Sequence, residues 1–100
     1  MTIAYRFRVL KQTEILGTAV PVATNLLARL FGLAFMRRER ARPGLFIPNC
    51  HSVHTFGMLF RLDIGFLDAK GRVIELRCDV PPGRIARCPE AVAVLEVPSP

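Results

Sequence analysis

The chain has 100 residues, of which 51% are hydrophobic and 22% are charged, and its formal net charge is +6. This length predicts one domain spanning residues 1–100, and the hydrophobic content excludes a largely disordered protein. No apolar run reaches the roughly 18 residues of a transmembrane helix, so no transmembrane segment is predicted.

The N-terminal region predicts two short strands. Tyr5, Phe7 and Val9 alternate with arginines, which is the two-residue period of a half-buried strand. Residues 12–18 predict a turn, and residues 19–23 predict a short edge strand because it contains a proline. The charged side chains of this region also interrupt the apolar core that a signal peptide requires, so we expect a cytoplasmic location.

An amphipathic helix is predicted over residues 24–35, with Thr24 or Asn25 as its N-cap. At 100° per residue, one arc of this helix holds large apolar side chains and Ala34. These residues are Leu26, Leu27, Leu30, Phe31, Leu33 and Ala34. Arg29 lies on the opposite arc beside two small residues, which leave room for another segment.

A cluster of four arginines follows this predicted helix, in residues 37–42. Positive charge after a helix complements the partial negative charge of its C-terminus. The cluster contains no aromatic side chain that could stack on a base, and the other arginines are spread along the chain. We therefore predict a solvated basic loop rather than a nucleic-acid interface.

The remainder of the chain predicts strands joined by tight turns. The predicted strands are residues 45–47, 60–66, 74–80 and 91–97, and a turn at residues 68–71 joins the second to the third. In residues 60–66 the apolar side chains share one face, and in residues 74–80 the apolar and charged side chains alternate. The predicted class is mostly β (β-rich α+β), a small antiparallel barrel or jelly-roll-like sandwich with one helix.

Residues 50–58 concentrate side chains that bind metals or act as nucleophiles. Cys50, His51, His54 and Met58 are types that suit copper or zinc. In an extended strand, however, Cys50 and His54 lie about 13 Å apart, whereas ligand bonds to a metal are about 2.0–2.3 Å long. A metal or cysteine–histidine site is therefore predicted only if this segment bends, with Cys50 and His54 as its residues. No cofactor is predicted, and three cysteines are a poor disulfide framework.

Two aspartates fall in the next strand and its turn. Asp63 and Asp68 are five residues apart, so in a strand they point to opposite faces about 16 Å apart and cannot act as a pair. Asp68 is predicted to be a turn residue. Asp63 lies among apolar residues, and we expect it to be a buried partner of Arg29 or His54, or to contact a ligand.

Several segments resemble the motifs of one family of bacterial and archaeal proteins. Residues 29–33 resemble its Arg-x-x-Gly-Leu motif. Residues 52–58 resemble a variant of its central motif in which His-Thr-Phe-Gly-Met replaces Trp-Met-Lys-Asn-Thr. Residues 62–71 resemble its Leu-Asp-x-x-Phe-x-Asp-x-x-Gly strand, and residues 94–97 its closing segment. The family is domain of unknown function 192, and the likeness covers about residues 19–97. It implies a compact jelly-roll-like β domain and no catalytic residue, because the family has no established activity.

We expect a non-enzymatic module that binds a small ligand or a protein partner in a shallow polar cleft. The residues predicted to form the cleft are Arg29, His54, Thr55, Met58 and Asp63.

Two alternatives remain open. One is a metal-dependent or cysteine-dependent enzyme that uses Cys50 and His54. The other is an accessory interaction module of an envelope or secretion assembly, which an exposed apolar patch including Phe35 and Met36 would favour.

Overall fold

A computed structural model describes residues 12–15, 18–21, 33–42 and 44–100. In this part of the chain short strands predominate, and no helix is long and apolar enough to cross a membrane. The elements are β1 (Gln12–Ile15), β2 (Thr18–Pro21), α1 (Arg38–Ala41), β3 (Leu45–Pro48), β4 (Ser52–His54), β5 (Leu62–Leu67), β6 (Val73–Val80), β7 (Ile85–Arg87) and β8 (Ala93–Pro98).

The largest sheet has four antiparallel strands in the order β3-β8-β5-β6. β8 is central because it pairs with β3 on one side and with β5 on the other, so that Leu95 faces Phe46 and Gly65. β1 pairs with β2, and β4 pairs with β7, in two further antiparallel ribbons. These sheets agree with a sandwich-like fold, whereas a closed barrel is not confirmed within the described residues.

The hydrophobic core lies against one face of the four-stranded sheet. Three alternate residues of β5, Leu62, Ile64 and Phe66, are completely buried there, as the two-residue period of the strand requires. Leu33 and Ala34 pack into the same core. Burial of a side chain as large as Phe66 contributes about 1.5–3 kcal/mol, so this face provides much of the stabilisation of the fold.

The opposite face of the sheet is also apolar. Leu67, Ala93 and Leu95 are buried there and form a second cluster with Phe46 and Val97. Because both faces of β8 are buried, its sequence is a continuous apolar run broken only by one glutamate.

The turn between β5 and β6 is as predicted. The Asp68 carboxylate accepts hydrogen bonds from the backbone N–H groups of Lys70 and Arg72 and from Arg72 Nε, all at 2.9 Å. The Gly71 N–H donates to the Asp68 carbonyl, and Gly71 has a φ of 79°, which favours glycine. The hydrogen bonds from Arg72 hold the pKa of the Asp68 carboxyl below its ordinary value.

The mostly-β class is therefore confirmed, and several details differ from the sequence prediction. Most of the predicted helix, including Arg29, lies outside the described residues, and its last three residues, 33–35, form a turn. The basic cluster is not entirely a loop, since it contains the single helical turn α1. Part of the predicted turn at residues 12–18 is strand β1, and the short strands β4 and β7 were not predicted.

Strand β6 has its apolar residues on the outer side. Arg77 and Glu75 lie opposite Ile64 and Phe66 and therefore face the core, where they are half-buried. Leu76, on the other face, is 58% exposed. The predicted alternation is present, and the apolar face is the exposed one, because the core side of β6 is occupied by ion-paired side chains.

Candidate functional site

The ribbon of β4 and β7 carries the central residues of the predicted cleft. Val53 lies opposite Ala86, and both are buried against the core. His54 lies opposite Ile85, and directly opposed residues of antiparallel strands share a face. Ile85 is 63% exposed, so the ribbon presents this second face to solvent.

Thr55 is buried and holds a neighbouring loop. Its hydroxyl donates to the Pro81 carbonyl at 2.7 Å and accepts from the Arg84 N–H at 2.8 Å. Its backbone N–H donates to the Arg84 carbonyl, and its carbonyl accepts from the Gly83 N–H. The side chain has both of its hydrogen-bonding functions occupied, so Thr55 acts as a structural clamp on residues 81–84.

Met58 is also a buried residue. It belongs to the hydrophobic core and is 6% exposed. Its backbone N–H donates to the Thr55 carbonyl at 3.2 Å, which closes a tight turn over Phe56 and Gly57. The turn directs Met58 inwards and leaves the two residues of the turn nearer the surface.

His54 and Phe56 form a fixed pair at this surface. The Phe56 backbone N–H donates to His54 Nδ1 at 3.2 Å, and the two rings are stacked with their centroids 5.3 Å apart. Half of Phe56 remains exposed despite the stacking.

Phe35 extends the exposed surface. Its backbone N–H donates to the Gly57 carbonyl at 2.8 Å, and a Cβ added at Gly57 would lie only 2.7 Å from the Phe35 ring. The ring therefore lies directly on the glycine, yet Phe35 is 67% exposed. We call Phe35, His54, Phe56 and Ile85 the aromatic patch.

Asp63 has partners other than the predicted His54. Its Oδ1 atom accepts from the Asp79 backbone N–H and from the Ser99 hydroxyl, each at 2.8 Å. Asp79 has a φ of 58° at an irregularity in the pairing of β5 and β6. Asp63 thus holds a strained position of β6, which is a structural role. The predicted partnership with Arg29 lies outside the described residues.

The cysteines and histidines do not converge. Within the described residues, no group of three or more His, Cys, Asp or Glu side chains could hold a metal ion. The Cys50 thiol donates to the Ser52 carbonyl at 3.2 Å. Cys88 is buried, and its desolvation, together with the nearby Glu75 carboxylate, raises the pKa of its thiol. A raised pKa lowers the fraction of nucleophilic thiolate.

A shallow apolar groove of about 260 Å³ lies elsewhere, beside the β5–β6 turn. Its walls include Phe46, Leu67, Val92 and Ala93, with Asp68 at the rim. The Asp68 carboxylate is already engaged by three hydrogen bonds, so it offers little to a ligand in this groove.

Comparison with known proteins assigns the chain to a family. The family described as "Uncharacterized ACR", domain of unknown function 192 (DUF192), matches residues 8–99. The chain belongs to the DUF192 family. No curated protein matches it.

A solved structure is similar to this DUF192 chain over most of its length. It is a protein of unknown function from Novosphingobium aromaticivorans DSM 12444, with a TM-score of 0.68 and 17% sequence identity. The alignment covers 88% of this chain and 71% of the other. At this identity the likeness shows a shared fold.

One buried residue of this DUF192 chain was not singled out from the sequence as a candidate. Glu96 lies between Leu45 and Ile64, both completely buried, and is itself 3% exposed. Its Oε1 atom has no hydrogen-bond partner within the described residues. Burial raises the pKa of its carboxyl from 4.5 to about 8. One indication of this burial was available from the sequence. Alternate residues of a strand share a face, so Glu96 lies on the same face of β8 as the buried Val94.

Proposed function

We propose that this chain is a non-enzymatic binding module and that it contacts a protein partner through the aromatic patch. The observation that carries the proposal is the exposure of Phe35, Phe56 and Ile85. These residues are linked through Gly57, which the Phe35 ring contacts, and through His54, which stacks on Phe56 and pairs with Ile85. Isolated exposed apolar side chains are common, whereas adjoining large ones mark interaction sites.

The patch is also held rigidly, which favours binding. The stacking on His54 fixes the Phe56 ring, and the close contact with Gly57 fixes the position of Phe35. Side chains that are already ordered lose little conformational entropy when a partner binds. Aromatic residues are also the type most enriched at the energetic centres of protein interfaces.

The proposal retains fewer contact residues than the cleft predicted from the sequence. Thr55 and Met58 support the surface from beneath, and His54 lies within it. The engaged hydroxyl of Thr55 and the inward position of Met58 argue against direct contact between these side chains and a ligand. Because neither side chain is available to line a cleft, a protein segment lying across the aromatic patch is favoured over a small molecule entering a cleft.

The expected partner is an aliphatic segment with acidic residues beside it. Arg84 precedes Ile85 in the chain, and Arg37 follows Phe35 by two residues; both arginines are exposed. The net charge of +6 adds a long-range attraction for an acidic partner.

The test is a selection of peptides from a random library on the immobilised full chain. The dissociation constant of the best synthetic peptide is then measured by fluorescence anisotropy. Phe56→Ser and Ile85→Ser should each weaken binding by about tenfold or more, the size expected for central interface residues.

Leu76→Ser is the matched control, because it removes an equally exposed apolar side chain from β6. Thermal unfolding confirms that each variant is folded. Selected peptides that bind all three variants as tightly as the original chain would rule out the aromatic patch as the contact surface.

A further inference from the structure

A second surface, separate from the aromatic patch, lies along β6. This strand has eight residues, Val73–Val80, and it is the last strand of its sheet. Within the described part of the chain only β5 pairs with it, so its other edge has no strand partner among these residues. Such an edge is a template for another strand.

β6 has some of the usual protections of an edge strand and lacks others. Natural proteins blunt long edges with lysine or proline, with β-bulges and with inward-pointing charges. In β6 the pairing with β5 shifts on both sides of residues 75–77, and Glu75 and Arg77 face the core. Residues 73–80 contain no lysine or proline. The exposed face instead carries Ile74 and Leu76, which are 44% and 58% exposed, and Cys78.

We propose that β6 joins two copies of this chain, pairing antiparallel with its counterpart about a twofold axis at Leu76. In this register Leu76 lies opposite Leu76 of the partner subunit. Glu75 lies opposite Arg77 of the partner subunit, and Ile74 opposite Cys78 of the partner subunit. Each of the last two pairs occurs twice. The strand is therefore complementary to itself both in charge and in apolar surface.

Neighbouring registers are disfavoured by the same rule. The twofold axis must pass through a residue, because opposed residues must lie on the same face of the sheet. An axis at Glu75 or at Arg77 places two like charges directly opposite each other, which is destabilising.

An axis at Cys78 would require Asp79 to lie in the regular ladder. Asp79 has a φ of 58°, and its carbonyl accepts a hydrogen bond from Arg61 at 3.1 Å. The extended conformation therefore ends at Cys78. The pairing with β5 also shifts at Ile74, so the regular segment is residues 75–77, and Leu76 is its centre.

The oligomeric state of the full chain is the first test, measured by sedimentation equilibrium up to a few hundred micromolar. An interface made by one short strand from each subunit is expected to be weak, so the mass should rise with concentration from 11.2 kDa towards twice that value. Leu76→Lys should abolish the rise, because it places two ammonium groups opposite each other at the axis. Leu59→Lys is the matched control, since Leu59 is 61% exposed and lies outside β6.

Cross-linking tests the register. Ile74→Cys places a thiol opposite Cys78 of the partner subunit, and mild oxidation should then give a covalent dimer on a non-reducing gel. Adding Cys78→Ser to this variant should abolish the dimer, although Cys50 and Cys88 remain.

A chain that stays at 11.2 kDa throughout, or a Leu76→Lys variant that associates as well as the original, would overturn the proposal. A cross-link that persists with Cys78→Ser would overturn the register. None of these outcomes bears on the aromatic patch, which contains no residue of β6.

Discussion

Glu96 makes the stability of the fold dependent on pH. The unfolded chain releases the proton of this carboxyl near pH 4.5, whereas the folded chain holds it to about pH 8 because the group is buried. As pH rises between these values, the unfolded state gains a charge that the folded state does not. The free energy of unfolding therefore falls with rising pH across this window, and it is highest below pH 4.5.

The size of the effect follows from the difference between the two pKa values. At about 1.4 kcal/mol for each pH unit, the interval from 4.5 to about 8 corresponds to a loss of about 5 kcal/mol. A domain of this size has a total stability of about 5–15 kcal/mol, so the loss is a large fraction of it. Glu96→Gln removes the ionisable group, and with it this part of the pH dependence.

Urea unfolding followed by circular dichroism at pH 5, 7 and 9 measures the difference. The stability of Glu96→Gln relative to the original chain should increase steadily with pH, by about 4 kcal/mol between pH 5 and pH 9. The unpaired amide adds a cost that is the same at every pH, so only the slope is informative. Glu39→Gln changes an exposed glutamate and should leave the slope unaltered. A constant difference between Glu96→Gln and the original chain from pH 5 to pH 9 would refute the reasoning.

Three smaller predictions concern the candidate site and the thiols. Thr55→Val should lower the free energy of unfolding by about 1–3 kcal/mol in urea titrations, since it leaves the partly buried Pro81 carbonyl and Arg84 N–H without their side-chain partner, whereas Thr55→Ser should cost clearly less. Gly57→Ala should cost at least about 1 kcal/mol in the same titrations and displace the Phe35 ring, because Gly57 has a φ of 79° and the added Cβ meets that ring; equal stability would contradict this account. Iodoacetamide at pH 8 should alkylate the exposed Cys78 well before the buried Cys88, whose pKa is raised, and mass spectrometry of the peptides would reveal the opposite order.

Much of the main sheet could be predicted from the sequence because its signals are local. β5 alternates over residues 62–66, and the turn at Asp68 needs only residues within four positions of it. The pairs that hold Thr55 are different, since they join residues 26 and 29 positions apart. No periodicity within a short segment can reveal such a pair. Strands as short as β4 and β7, with three residues each, likewise show no full period of alternation.

Which face of β6 is buried could not be predicted, for a further reason. Alternation separates two faces but does not identify which one is inside, and hydrophobicity usually decides that question. In β6 the Glu75–Arg77 ion pair occupies the inner side, and the Arg77 guanidinium donates to the Arg87 carbonyl and lies 5.5 Å from the centroid of the Phe66 ring. These long-range contacts compensate the half-buried charges and turn the aliphatic side chains outwards.

The same contacts connect the two proposed surfaces. Arg77 belongs to β6, and its hydrogen bond to Arg87 anchors that strand to one end of β7, whereas the aromatic patch lies at the other end, beside Ile85. A dimer formed through β6 would therefore carry two aromatic patches in a fixed arrangement and would bind a partner with repeated contact segments more tightly than one patch does. Leu76→Lys should then weaken binding to a densely immobilised peptide while leaving the solution affinity for the same single peptide unchanged. Equal binding of the original chain and of Leu76→Lys to the densely immobilised peptide would show that pairing through β6 does not strengthen binding by the aromatic patch.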